Sequence, residues 1–172
     1  WALACEIPIV ILNSGRVGPV SGITGAPGQG EFYNTRFPTQ GGNYETIVLA
    51  PNCAQEAFYL TVEAFYLAER FRMPVTLLAD QLVTDGLEDI TIPETDEEKK
   101  QMALRFKERE INHGPEFYPP VDAIDIPPVI LGHNTGVLCS DWTPTEEGYD
   151  TEEVEACHKH VHRLIYKVRR HK

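Results

Sequence analysis

The 172-residue sequence has no C-x-x-C pair, no apolar run near the roughly 20 residues that span a bilayer, and neither a G-x-x-x-x-G-K-[ST] nor a G-x-G-x-x-G glycine motif. Each absence removes a class. Cys5, Cys53, Cys139 and Cys157 are scattered, so neither a disulfide framework nor a cysteine-held cluster is indicated, and reduced, mostly buried thiols are the simple reading. The missing phosphate-loop and dinucleotide motifs disfavour a self-contained nucleotide-binding domain. Ser21 as a nucleophile would need G-x-S-x-G, and Val20-Ser21-Gly22 does not supply it. No cationic, apolar leader precedes the first strand, so the chain reads as soluble, unexported and cytoplasmic, without membrane contact. An initiator methionine is also missing. Trp1-Ala2-Leu3-Ala4 runs at once into Ile7-Pro8-Ile9-Val10-Ile11-Leu12, which reads as a start inside a fold.

What is present is an acidic chain with a basic end. The formal charge is -11, yet the last fifteen residues hold Lys159, Arg163, Lys167, Arg169, Arg170 and Lys172 and no acid, which leaves the preceding residues at -17. Nucleic acid needs Lys and Arg clustered over a surface, so an acidic body argues against it as a partner. The basic stretch reads as a helix end. With 42% hydrophobic residues, the chain can close one core, and a single domain over 1–172 is the default.

Ile7 to Asn13 is short, β-branched and nearly continuously apolar, as in a central parallel strand covered on both faces. Gly15 to Gly30 then holds six glycines and two prolines, too many for the interior of a helix or strand. After a second loop at Gly41-Gly42-Asn43, the segment Ile47-Val48-Leu49-Ala50 reads as a buried strand. Pro51-Asn52 then opens a helix, with Asn52 as its cap and Gln55 at N3; from Ala54 to Phe71, the residues Ala57, Phe58, Leu60, Ala64, Phe65, Leu67, Ala68 and Phe71 form a wide apolar face. Met73-Pro74 stops it before the strand Val75 to Asp80.

Strand, glycine loop, strand, long helix, strand predicts an α/β fold with an open, mainly parallel sheet flanked by helices. An acidic connection is expected at about 87–98, a short helix over about 97–110, surface excursions over 111–150 with a strand at 128–131, and a last helix over about 151–170. That helix would be opened by an Asp150/Glu153 capping box and striped by Val154, Val161, Leu164, Ile165 and Val168.

The densest chemistry lies between Gly15 and Glu31, just past the end of an inferred parallel strand, where open α/β sheets place ligands. Glycines admit close approach, Ser21 and Thr24 add hydroxyls, and the Arg16 fork suits a carboxylate or phosphate. A plain glycine-rich connector with Arg16 paired to a neighbouring acid is the competing reading. His158 and His162 share a helical face at a metal-site spacing beside Cys157. No further ligand group accompanies them, so no metal site is assigned.

The stretch Arg16 to Phe32 resembles, without a gap, the glycine-proline-serine-threonine loop of the alpha subunit of 2-oxoacid:ferredoxin oxidoreductases, particularly the 2-oxoglutarate type. Gly41-Gly42, Glu45-Thr46, Ile47 to Phe58, Ala64 to Glu69 and Pro74 to Gln81 continue the match; Gly132-His133-Asn134-Thr135-Gly136 and the final helix extend it more weakly. The resemblance implies a thiamine-diphosphate-binding, pyrimidine-type domain, incomplete at its N-terminus, with the substrate-binding Pro-Ile-Thr-Pro segment and the pyrimidine-activating glutamate upstream of Trp1. It implies CoA-dependent oxidative decarboxylation of a 2-oxoacid with reduction of ferredoxin, in a complex whose beta subunit holds the diphosphate, Mg2+ and a 4Fe-4S cluster. Arg16, Gly18, Pro19, Ser21, Gly22 and Thr24 become the substrate-binding residues, Arg16 as the carboxylate clamp. Val17, Val20, Ser21, Thr24, Gly25 and Asn43 depart from the family's usual residues. A non-catalytic assembly or regulatory subunit of such a complex and an unrelated phosphate-binding α/β domain are the alternatives. The isolated chain is expected to expose apolar surface and associate.

Overall fold

Helix α2, Ala54–Phe71, organises the molecule because its small residues let it lie close against a sheet. Ala64 and Ala68 pack on Val75, with Val10, Ile47, Leu49 and Leu67 around them. The helix stops at Arg72, which takes a left-handed conformation (φ 46°, ψ 63°) and returns its N–H to the Ala68 carbonyl, while Met73 N–H reaches the same oxygen at 3.1 Å. That closure turns the chain straight into a strand. In this computed structural model the described residues are 1–20, 22, 23, 25–103 and 138–171.

The sheet is parallel. It contains β1 (Ile9–Gly15), β2 (Ile47–Leu49) and β3 (Pro74–Asp80) in the order β1-β3-β2. Register runs from Ile9 opposite Pro74 to Gly15 opposite Asp80, and from Ile47 opposite Val75 to Leu49 opposite Leu77. Among the described residues β3 is therefore the strand with a neighbour on each side, and Val75, Leu77, Leu78 and Ala79 are buried. The first strand differs from its expected place. It begins at Ile9 rather than Ile7, because Trp1 to Glu6 folds as a turn in which Ile7 N–H bonds the Ala2 carbonyl at 2.8 Å. Among the described residues it has a neighbour on one side alone, and Ile9, Ile11 and Leu12 are exposed, so it is not covered on both faces.

Short helix α1 (Glu31–Arg36) follows the glycine loop, α3 (Gln81–Asp85) continues directly from β3, and α4 (Asp96–Ala103) closes the acidic connection. The expected continuation of α4 toward residue 110, the strand at 128–131 and the 132–136 match lie outside the described residues. Helix α5 runs Val154–Arg169 and adds Val168 to Phe71 and Met73 in a second core cluster.

Both expected helix caps are corrected. Helix α2 is preceded by Cys53 without a side-chain cap; instead the Glu56 carboxylate accepts from Asn52 N–H at 2.7 Å and Glu88 from Ala54 N–H at 2.8 Å. Two carboxylates suit a helix N-terminus better than the neutral amide of Asn52, because they also meet the helix dipole. Gln55 does not reach back either. Its amide pairs with both backbone groups of Thr91, at 3.0 and 2.6 Å, and ties the acidic connection to α2. Before α5, Glu153 stands at the N-cap with no side-chain bond, so there is no capping box with Asp150, and Val154 is exposed rather than part of a buried stripe.

Candidate functional site

Parallel strands bring their carboxyl ends to one edge, and here Gly15 and Asp80 end β1 and β3 side by side. The glycine loop leaves from that edge and folds back on itself. Arg16 bridges Pro27 in antiparallel fashion, Val17 N–H donates to Ala26 O at 3.1 Å, and Ile23 N–H donates to Val17 O at 3.1 Å. A turn with Gly22 N–H on Pro19 O at 2.9 Å closes the tip, which contains a cis Gly18-Pro19 bond. Two glycines are required by this packing: a Cβ on Gly22, at φ +53°, would lie 1.5 Å from Val17 O, and one on Gly28 would lie 2.6 Å from the Arg16 carbonyl carbon.

Between the loop, α1 and the strand ends lies a cleft of about 120 Å³ lined by Gly15, Gln29, Glu31, Phe32, Pro51 and Asp80 among others. Glu31 Oε1 accepts from the Arg16 backbone N–H at 3.4 Å, and its Oε2 is buried without a hydrogen-bond partner. Asp80 accepts from Leu82 N–H at 2.8 Å, capping α3, and from Gln29 Nε2 at 3.1 Å, holding the far limb of the loop. Glu31 thus takes the backbone of Arg16. Arg16 is half-buried, and its guanidinium has no ion-pair partner among the described residues.

Arg16, Gly18, Pro19 and Gly22 are brought together in this one loop, with Pro19 exposed at its tip. Ser21 and Thr24 lie outside the described residues. Glu31, Gln29 and Asp80 were not singled out from the sequence. Glu31 and Gln29 sit in the quoted stretch, and Asp80 ends a strand that the sequence identifies, so position relative to the strand ends was the available signal. The second glycine loop passes through Gly41, Gly42 and Asn43 at φ +83°, +66° and +62°. Glu45 follows it and joins Arg36 at 3.8 Å and Arg169 of α5 at 2.6 Å.

A second constellation lies under α5, in the basic stretch that reads in the sequence as a helix end. Glu6, fully buried and at φ 52°, accepts on Oε1 from Lys167 Nζ at 3.0 Å and from Arg163 Nε at 3.2 Å. Arg163 Nη2 stands 2.8 Å from Oε2 but is too poorly aligned for a hydrogen bond, so that contact is an ion pair. Lys167 also donates to the Arg72 carbonyl at 3.1 Å. Burial alone would raise the Glu6 pKa; Lys167, Arg163 and Arg72 outweigh it and hold it at about 2. Burial pushes the Lys167 pKa down and that of His160, beside the cluster, down to about 4. These buried groups fasten α5 to the N-terminal turn.

His158 and His162 have ring centroids 6.4 Å apart, and His162 stacks on Tyr166 at 4.1 Å. Among the described residues no three His, Cys, Asp or Glu side chains converge as a metal site, and no helix is long and apolar enough to cross a membrane.

Comparison with known proteins agrees with this geometry. Residues 1–161 match the family model described as pyruvate flavodoxin/ferredoxin oxidoreductase, thiamine diphosphate-binding. The 2-oxoglutarate synthase subunit KorA of Methanothermobacter thermautotrophicus is 33% identical over the whole chain and 45% of its own length. The ketoisovalerate oxidoreductase subunit VorB of Methanothermobacter marburgensis is 40% identical over 64% of the chain and 27% of its own length. A solved 2-oxoglutarate:ferredoxin oxidoreductase from Magnetococcus marinus, with 2-oxoglutarate, coenzyme A and succinyl-CoA bound, superposes with a TM-score of 0.70 over 95% of this chain and 29% of that one, at 18% identity. The chain therefore spans less than half the length of the curated relatives it matches. Its parallel sheet, the glycine loop at the strand ends and the match over residues 1–161 make it a member of the pyruvate flavodoxin/ferredoxin oxidoreductase family, within the thiamine diphosphate-binding region.

Proposed function

We propose that this chain supplies the substrate-carboxylate site of a 2-oxoacid:ferredoxin oxidoreductase as part of its alpha subunit. The observation that carries the proposal is Arg16, a half-buried residue at the carboxyl end of β1 whose backbone, rather than its guanidinium, is engaged by the loop carboxylate Glu31. An arginine so left can grip a carboxylate with two parallel hydrogen bonds, fixing both its position and its charge. Gly18, Pro19, Ser21, Gly22 and Thr24 belong to the same loop and complete the proposed substrate set. The relatives name both 2-oxoglutarate and ketoisovalerate enzymes; 2-oxoglutarate is the proposed substrate because three relatives that match over the whole of this chain are 2-oxoglutarate synthase subunits.

Thiamine diphosphate, when bound, supplies the ylid and electron sink for decarboxylation. The described residues do not fit its diphosphate and Mg2+. The cleft is lined by Glu31 and Asp80 with no cation, and no cluster of metal-ligating side chains stands near it, so two further negative charges would be repelled there. In the proposed arrangement a beta subunit holds that half of the cofactor, Mg2+ and a 4Fe-4S cluster, and passes electrons to ferredoxin, while the acyl group leaves on coenzyme A. This chain's own part is binding and orientation.

The test is anaerobic, CoA-dependent viologen reduction by the assembled enzyme with 2-oxoglutarate and with 3-methyl-2-oxobutanoate, comparing Arg16 with Arg16→Ala. A roughly 100-fold loss in kcat/KM, about 2.7 kcal/mol of transition-state binding, is expected of a lost clamp. Activity indifferent to Arg16 discards the site, and an assembled complex inactive with either substrate favours an assembly subunit.

A further inference from the structure

Helix α1 joins the glycine loop to the rest of the molecule, yet its apolar side chains are not what holds it. Of its six residues Thr35 alone is buried, while Phe32 and Tyr33 are 55% and 80% exposed. A helix this short does not stand without tertiary anchors. Its first residue supplies one: Glu31 Oε1 accepts from the Arg16 backbone N–H at 3.4 Å, and Thr35 Oγ1 donates back to the Glu31 carbonyl at 2.7 Å. Its last residue supplies another. Arg36 Nη2, on a half-exposed side chain, stands 3.8 Å from Oε2 of Glu45, whose carboxylate is buried. The other oxygen of that carboxylate, Oε1, accepts from Nε of Arg169 in the last turn of α5 at 2.6 Å. Glu45 stands just before β2, so its backbone runs straight into the sheet. One buried acid therefore joins the far end of α1 to α5 at the entry to a strand.

We propose that Glu45 is a positioning residue for the substrate site: by holding Arg36 it fixes the far end of α1, and through α1 and Glu31 it sets where Arg16 stands. This role rests on Arg16 being the substrate-carboxylate clamp. Glu45 does not itself line the cleft, whereas Glu31 and Phe32 of α1 do, so its effect on the site passes through the helix. The two oxygens of Glu45 differ in what they hold. The bond from Arg169 is short and charge-assisted, and it aligns the carboxylate. Arg36, at 3.8 Å, is beyond hydrogen-bond distance, so charge alone holds it, and the burial of the carboxylate strengthens that attraction. Glutamine at position 45 would keep an acceptor for Arg169 and lose the hold on Arg36. Lysine at position 36 would keep the hold, because a point charge is all the contact uses.

The test is CoA-dependent viologen reduction by the assembled enzyme with 2-oxoglutarate, on Glu45→Gln, Arg36→Ala and Arg36→Lys, each made in the parent and in the Arg16→Ala background. The half-exposed Arg36 is the gentler of the two sites, since truncating it opens no buried space. Glu45→Gln and Arg36→Ala should each lower kcat/KM roughly fivefold, the scale of one half-exposed ion pair, and combining them should cost no more than either alone. Arg36→Lys should stay within about twofold of the parent. In the Arg16→Ala background both losses should vanish, because the group being positioned is gone. A loss that persists undiminished without Arg16 is general structural damage and would overturn the proposal. Parental kcat/KM in Glu45→Gln and Arg36→Ala beside an impaired Arg16→Ala would overturn it too, and would leave the clamp standing. Parental activity in Arg16→Ala itself removes the clamp, and this role with it.

Discussion

Replacing Glu6 by glutamine keeps the shape of the buried side chain and removes the one carboxylate that Lys167 and Arg163 share. Two independent routes give the size of the effect. Removing one partner from a buried pair strands the other charge and costs about 3–5 kcal/mol. The proton linkage route starts from a pKa of about 2 in the fold against 4.5 for the free group, a difference equivalent to about 3 kcal/mol of stabilisation. Because the folded pKa is the depressed one, that stability is fully present above pH 4.5 and is lost as the pH falls toward 2. His160, held down to about 4 chiefly by burial, acts in the same direction at higher pH: its contribution is present above about 6.5 and lost as the pH falls through 4. Urea unfolding of the parent and Glu6→Gln chains from pH 7 to 3 should therefore show a gap of about 3–5 kcal/mol at pH 7. The gap should narrow only below pH 4.5, where Glu6 takes up a proton in the unfolded chain while it stays ionised in the fold down to about 2. A gap under about 1 kcal/mol at neutral pH, the scale of an exposed pair, would refute a buried ionic anchor, as would a gap that stays constant into acid.

Other outcomes follow from the loop and the caps. Gly22→Ala should lower kcat/KM of the assembled enzyme by roughly tenfold or more with helical circular dichroism unchanged, because its Cβ would strike Val17 O and displace the limb that begins at Arg16. Gly41→Ala, whose Cβ would meet open space at φ +83°, should cost only the left-handed backbone penalty, about 1 kcal/mol in a urea melt, and leave activity intact. Glu88→Ala removes the carboxylate on Ala54 N–H, and urea melts should register about 1 kcal/mol; limited proteolysis should then cut the 87–95 connection faster.

Helix α2 was legible over its body and its end, though not at its cap, since a face of alanines and aromatics at three- and four-residue steps has one helical solution and Met73-Pro74 ends it. The loop between Gly15 and Glu31 was legible as a site for a topological reason, that parallel strands deliver it to their carboxyl edge. Its acidic wall was not, because Glu31 and Asp80 stand in separate segments and meet only through the register that sets Gly15 opposite Asp80. The exposure of β1 was hidden for the opposite cause: an apolar run reports what a strand could bury, and Ile9, Ile11 and Leu12 remain exposed here all the same.

Helix α5 shows how a sign convention misleads. The sequence pattern places the buried stripe of this helix on its aliphatic residues, which include the exposed Val154, and counts its Lys and Arg only as a basic helix end. The buried positions are His160, Arg163, Leu164, Lys167 and Val168, a regular three- and four-residue progression that appears only when the cations are counted with the apolar residues. A buried cation needs a buried acid, and the sequence offers one in an unusual place: Glu6, alone between Cys5 and Ile7 at the start of an apolar run. A lone acid in a strand-like stretch and two cations on the inward stripe of a distant helix therefore form a pairing signal. Reading it requires giving up the rule that charge marks the surface, which Arg163 and Lys167 break by being almost wholly buried against a carboxylate more than 150 residues away in the chain.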